Sequence, residues 1–119
     1  MEFVRIADTS ELAPGQMKHV HVEGHDILLA NVEGDYYAIA NRCTHLGGSL
    51  CDGTLDSAVV ACPRHGARFD VRTGHAVSGA KVLLFGKTVK NAIRFQVLVD
   101  GSQIFAGVPD PERATVISV

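Results

Sequence analysis

His19-Val20-His21-Val22-Glu23-Gly24-His25-Asp26-Ile27-Leu28-Leu29-Ala30-Asn31-Val32-Glu33-Gly34-Asp35-Tyr36-Tyr37-Ala38-Ile39-Ala40, residues 19–40, is the stretch that decides the fold. Val20 and Val22 alternate with His19, His21 and Glu23, the period of a half-buried strand. Gly24 permits a turn, after which His25 to Val32 predicts a returning strand. Glu33-Gly34-Asp35 predicts a second hairpin turn that leads into Tyr36-Tyr37-Ala38-Ile39-Ala40.

The same signals continue outward. Ile93 to Val99 predicts one strand, and Asp100-Gly101 a hairpin, because glycine accepts the positive φ such turns require. Gln103-Ile104-Phe105 is the expected return. Short strands are expected at Ser57 to Ala61 and Arg68 to Val71. The helical signal is limited to one turn at Ser10-Glu11-Leu12, before Pro14-Gly15. Twelve glycines and short apolar runs agree with an all-β class. The middle, about residues 41–80, reads as loops and short strands set into a larger β scaffold. A tail of about 107–119 follows. Pro109 and Pro111 remove backbone donors, so Gly107 to Arg113 is expected to stay out of a ladder. Ala114-Thr115-Val116-Ile117-Ser118-Val119 is β-prone again, and either pairs with an open sheet edge, in this chain or another, or forms a frayed terminus.

The chain has 119 residues, 46% of them apolar, enough for one domain over residues 1–119 with a real core. A net charge of −2 argues against a nucleic-acid partner, whose phosphates call for a basic surplus. Apolar runs such as Ile27 to Ala30 and Val82 to Phe85 fall far short of the roughly 20 residues that span a bilayer. The start, Met1-Glu2-Phe3-Val4-Arg5, shows no basic segment followed by an apolar one. The expected setting is the cytoplasm, with no membrane. Three cysteines, an odd count, do not suggest a disulfide framework.

Two of those cysteines carry the chemistry. Cys43-Thr44-His45 and Cys62-Pro63-Arg64-His65 together read C-x-H-x16-C-x2-H. Two thiolates and two imidazoles at this spacing make a metal site. Structural zinc usually joins a Cys pair to a His pair, whereas here each half is mixed. The mixed halves favour an iron–sulfur cluster with two unlike irons, one held by sulfur and one by nitrogen; zinc is the competing occupant. Two ferric ions, two sulfides and two thiolates sum to zero charge. Histidines in place of two thiolates therefore make the centre easier to reduce. Reduction raises the imidazole pKa values and couples electron uptake to proton uptake at high pH. Gly47, Gly48, Gly53 and Gly66 would let backbone N–H groups approach the sulfides, and Pro63 stiffens the second loop.

The other chemical residues read more plainly. His19 and His21 face one side of a strand, a solvent-facing row that His25 adjoins. His75 is expected to be exposed, and Cys51 to be a small buried residue or a free thiol. Arg42 and Arg64 neighbour ligands and could steer an acidic partner, or be solvated charges. The carboxylates form no acid/base pair, and no phosphate loop or nucleophile motif is present.

The matching stretches Tyr37 to His45, Gly53 to Asp56 and Val60 to Gly74 resemble Rieske [2Fe-2S] proteins, with weaker similarity over about residues 3–106. The resemblance implies an antiparallel β-sandwich of three sheets with a small cluster-binding subdomain. It implies that Cys43 and Cys62 bind the buried iron, and that His45 and His65 bind the outer iron near solvent. Rieske subunits of cytochrome bc complexes carry an extra disulfide between their ligand loops; Gly48 and Arg64 stand at those positions here. They also carry a serine and a tyrosine whose hydroxyls bond the sulfurs; here the residues are Ala67 and Phe69. Those losses imply a potential near about −150 mV, at the low end of a range that reaches about +300 mV. A Gly-Pro-Ala loop common in the family reads Ser78-Gly79-Ala80-Lys81 here. The stretch from Val82 to Asn91, with Lys87 and Lys90, is longer than usual.

With these departures the chain resembles the small soluble ferredoxins of bacterial aromatic-ring-hydroxylating dioxygenase systems. The resemblance implies a monomeric one-electron carrier, not an enzyme in itself. Its partners would be a flavin-dependent ferredoxin reductase and a terminal oxygenase. The alternative is the Rieske-type small subunit of an assimilatory nitrite reductase or another multi-subunit oxidoreductase. The length leaves no room for the mononuclear iron domain of an oxygenase catalytic subunit.

Overall fold

Ile27-Leu28-Leu29-Ala30 offers no polar side chain to either face of a strand, so both faces must be covered. The computed structural model shows this layering. It describes residues 2–42, 49–63, 67–77 and 91–109, and the backbone of 83–84 and 87–88. The strand β3 (His25–Val32) lies inside a four-stranded antiparallel sheet. Its neighbours are β2 (Met17–Val22) and β4 (Asp35–Ala40), and β10 (Arg94–Phe95) extends the sheet beyond β4. The even positions Leu28 and Ala30 belong to one buried cluster, with Ile39, Val60 and Phe69. The odd positions Ile27 and Leu29 belong to a second, with Ile6, Ile104, Ala106 and Val108. The four-stranded sheet is therefore the middle layer.

The second cluster is covered by a three-stranded sheet, ordered β1 (Glu2–Asp8), β12 (Gln103–Val108), β11 (Val97–Asp100). The first is covered by a smaller antiparallel sheet of β5 (Thr54–Asp56), β6 (Val59–Ala61) and β7 (Arg68–Asp70). A separate hairpin, β8 (Leu83–Leu84) with β9 (Lys87–Thr88), completes the described strands. The expected all-β class with three antiparallel sheets is what forms. No helix among the described residues is long and apolar enough to cross a membrane.

Local chemistry explains the turns. Glu23-Gly24 and Glu33-Gly34 are two-residue hairpin loops in which all four residues take positive φ. That is the geometry whose twist matches the flanking strands. At the third hairpin Asp100 pairs with Gln103, so the loop residues are Gly101 and Ser102, one position later than the Asp-Gly reading. Gly101 supplies the positive φ of 62°. The helical turn is a 3-10 helix at Thr9–Glu11, fixed by Asp8 and Glu11 in a reciprocal capping box.

Three elements differ from expectation, and a fourth, β1, carried none. Ile93 to Val99 is not one strand: β10 pairs with β4 and β11 with β12, and the chain changes sheets at Gln96. One chain thereby closes two layers over a single cluster. β6 starts at Val59 because Ser57, with φ 55°, and Ala58 form the turn after β5. Gly107 and Val108 do join a ladder, opposite Phe3 and Glu2, because the first proline falls only at Pro109. β1 carries no alternation because its register slips between Arg5 and Ala7, so that Ile6 and Ala7 both turn inward. Residues 110–119, including the β-prone Ala114 to Val119, lie outside the described residues, as do Ser78 to Lys81.

The small sheet is tied back to the middle layer after β7. Asp70 accepts from the Arg72 backbone and guanidinium, and its carbonyl accepts the Gly74 N–H at 2.7 Å. The Gly74 carbonyl then accepts the Ala92 N–H at 2.7 Å, just before β10. Gly74 has φ +83°, and a Cβ there would run into the Ala92 carbonyl, so both conformation and space require glycine.

Candidate metal centre

Cys62, of the second Cys/His pair, directly follows β6. Ala61 opposite Arg68 is the last ladder pair of β6 with β7. Beyond it the Cys62 N–H donates to the Ala67 carbonyl at 2.7 Å. Cys62 is 3% exposed and belongs to the cluster with Leu50, Val60, Ala67 and Phe69. Ala67 and Phe69 are buried beside it, and neither brings a hydroxyl.

The first pair follows β4 in the sequence, and the described residues on either side of it are held together. Arg42 and Ser49 pair as an isolated antiparallel bridge, and the Leu50 N–H donates to the Asn41 carbonyl at 2.7 Å. A 3-10 turn, Leu50–Asp52, follows and drives Leu50 into the same cluster as Cys62. The residues that flank 43–48 are thus held together at a neck, and Leu50 shares its cluster with Cys62. Of the four sequence candidates, Cys62 is among the described residues. Cys43, His45 and His65 lie outside them, with Gly47, Gly48, Arg64 and Gly66.

The residues present fit an iron–sulfur cluster. A buried cysteine in apolar surroundings suits the inner, thiolate side of such a centre, and Leu50, just after the first pair, belongs to the same apolar cluster as Cys62. Among the described residues no group of three or more His, Cys, Asp or Glu could hold a metal ion. His19 and His21 share one carboxylate oxygen of the exposed Asp26, at 3.0 and 2.8 Å. Hydrogen bonds from His21 and then His19 hold the Asp26 carboxyl below its usual range. His75 and Arg42 are exposed, as solvated side chains. His25 is partly buried, with its ring edge-on to Phe95 at 5.7 Å.

Two residues gain a different account from the structure. The Gly53 N–H is already used, donating to the Leu50 carbonyl at 3.0 Å. Its glycine identity answers to β6: a Cβ there would meet the Ala61 carbonyl oxygen. Cys51 is a free, half-buried thiol. Burial, with a smaller push from the Asp52 charge, raises its pKa to about 11. Cys51 in the cluster-loaded protein is therefore expected to react with a thiol reagent at pH 8 about 100-fold more slowly than an exposed cysteine. Its rate should climb with pH up to about 11. A rate that levels off by pH 9 would contradict this.

Asn41 escaped the sequence reading. It is 4% exposed, and its side chain donates to Ser49 Oγ and accepts from the Cys51 N–H, both at 2.8 Å. The available signal was a polar residue directly after the apolar run of β4.

The all-β fold and the buried Cys62 agree with the mixed-ligand iron–sulfur centre expected from the sequence. Comparison with known proteins narrows this. The model of the Rieske [2Fe-2S] domain matches residues 2–83. The naphthalene 1,2-dioxygenase system ferredoxin component of Pseudomonas aeruginosa is 35% identical, over 79% of this chain and 84% of that one. Among solved structures, the ferredoxin of carbazole 1,9a-dioxygenase from Nocardioides aromaticivorans superimposes with a TM-score of 0.80. It is 29% identical and covers 92% of this chain and 100% of its own. A complex of reduced oxygenase and oxidized ferredoxin in carbazole 1,9a-dioxygenase matches with a TM-score of 0.77 at 28% identity, over 88% of this chain and 92% of that one. The chain belongs to the Rieske [2Fe-2S] family. It carries one [2Fe-2S] cluster and serves electron transfer as a ferredoxin, not as a catalyst.

Proposed function

We propose that this ferredoxin takes single electrons from a flavin-dependent reductase and delivers them to a terminal ring-hydroxylating oxygenase, at a potential in the low part of the Rieske range. The observation that carries the reading is the neighbourhood of Cys62. A buried cysteine closes the second loop, and Ala67 and Phe69 beside it offer no hydroxyl to a cluster sulfur.

In this reading Cys43 and Cys62 hold the inner iron, and His45 and His65 the outer one. The cluster-binding part is the stretch of about residues 41–80 within a single domain. When bound, the cluster supplies a one-electron couple. The chain's own residues set its surroundings. Cys62 is kept from water by Leu50, Val60 and Phe69, which preserves a low local dielectric on the thiolate side. The short hairpin bond from Cys62 to Ala67 fixes where the second loop begins and ends. The imidazoles, on the loops, form the exchange edge toward both partners.

The test is spectroscopic. The purified protein is expected to be red-brown and to give a low-average-g EPR signal after dithionite. A colourless protein with stoichiometric zinc would overturn the reading. Ala67→Ser combined with Phe69→Tyr is expected to raise the potential toward the upper half of the roughly −150 to +300 mV range. An unchanged potential would remove the account of why it is low. Reduction by a flavin reductase, followed by oxidation on mixing with the oxygenase, tests the partners directly.

A further inference from the structure

We propose that Asn41 is a positioning residue that sets the opening of the first ligand loop, and through it the retention and potential of the cluster. The proposal rests on the reading that residues 43–48 supply Cys43 and His45.

All the polar groups of Asn41 are committed. Its N–H donates to the Asp26 carbonyl on β3 at 2.9 Å, which anchors the loop entry to the middle layer. Its carbonyl accepts from the Leu50 N–H, its Nδ2 donates to Ser49 Oγ, and its Oδ1 accepts from the Cys51 N–H. One residue before the loop therefore holds three consecutive residues after it. The amide orientation follows from chemistry. An N–H can only donate, so Oδ1 must face Cys51 and Nδ2 must face Ser49. Alanine would remove both side-chain bonds and leave the Cys51 N–H without its acceptor in a partly buried place. Aspartate would keep the shape but bring a negative charge into a site that is 4% exposed.

The fold contains its own control. Asn31 is 2% exposed and makes the same four kinds of bond. Its N–H donates to the Gln16 carbonyl, its carbonyl accepts from Gly15, its Nδ2 donates to the Leu12 carbonyl, and its Oδ1 accepts from the Gly34 N–H. These partners lie in the Leu12 to Gln16 segment and the β3–β4 turn, and none belongs to the neck of a ligand loop. Loss of Asn31 removes comparable stability without touching either neck.

The experiment compares cluster-loaded wild type, Asn41→Ala, Ser49→Ala and Asn31→Ala. Cluster loss under a chelator, midpoint potential, EPR line shape and melting temperature are read for each. Asn41→Ala is expected to lose its cluster about 10- to 100-fold faster than wild type, with a shifted potential and line shape. Ser49→Ala, which removes one arm, is expected to lose it about 3- to 10-fold faster. Asn31→Ala should melt as early as Asn41→Ala yet match wild type in loss rate, potential and line shape. The proposal is overturned if Asn41→Ala stays within about twofold of wild type. It is equally overturned if Asn31→Ala accelerates loss as much, since global stability would then be the cause. Should Asn41→Ala fail to fold, Ser49→Ala decides by the same readouts. Hydrogen exchange at the Cys51 amide of the cluster-free chain supplies a measure of the clamp itself: faster exchange in the variants supports it, and equal exchange overturns it. If wild type takes up no iron–sulfur cluster, the functional reading fails, and the amide exchange still judges the clamp.

Discussion

Cys62→Ser is expected to yield a folded protein without the visible absorption or the EPR signal of an iron–sulfur cluster. Iron in such a cluster is held by thiolate, and a serine hydroxyl ionises too weakly to replace it. The fold survives because the bond that closes the hairpin runs from the Cys62 backbone to the Ala67 carbonyl and does not use the sulfur. The floor beneath it, Leu50, Val60 and Phe69, is likewise unchanged. Far-ultraviolet circular dichroism close to that of cluster-free wild type, with iron and sulfide both absent, is the anticipated pair of results. A variant that keeps a full complement of cluster would remove Cys62 from the ligand set.

Gly53→Ala carries the second large effect, although the added group is a single methyl. Gly53 has φ −89°, outside the left-handed region that favours glycine, and the largest cost is one of space. The new Cβ points at the Ala61 carbonyl oxygen. Ala61 is gripped on both sides, by Thr54 in β5 and Arg68 in β7, and cannot move alone. The strain passes to the next residue, Cys62. Overpacking of this kind costs about 1–3 kcal/mol, or about 4–12 °C in melting temperature for a domain of this size. Faster cluster loss should accompany it. Gly15 offers a contrast, since no atom stands where its Cβ would go and only its positive φ opposes substitution. A Gly53→Ala protein that melts with wild type would show that β6 yields more easily than its pairing suggests.

Much of the fold was legible because its signals are local. Gly24, Gly34 and Gly101 mark turns whose conformation depends on the residue itself. The apolar run Ile27 to Ala30 declared a strand covered on both faces, although it cannot say by what. The bulge in β1 was not legible, because it brings Ile6 and Ala7 inward together and erases the alternation by which a strand is recognised. The change of sheet at Gln96 was hidden for a related reason. Each half of Ile93 to Val99 is strand-like, and only the packing of two layers decides that they belong to different sheets. At the site, the ligand candidates were visible by spacing. Gly53 and Asn41 were not legible in their roles, since one answers to a carbonyl eight residues away and the other to three residues beyond a loop.

The alternation of β3 between two buried clusters leaves the molecule no plane along which it could come apart in halves. Peeling away the small sheet uncovers Leu28 and Ala30; peeling away the β1–β12–β11 sheet uncovers Ile27 and Leu29 on the same four-residue run. Damage to either side thins a wall that the other also leans on. An electron carrier, whose charge changes at each transfer, is thereby built to respond to loss of either layer as one body.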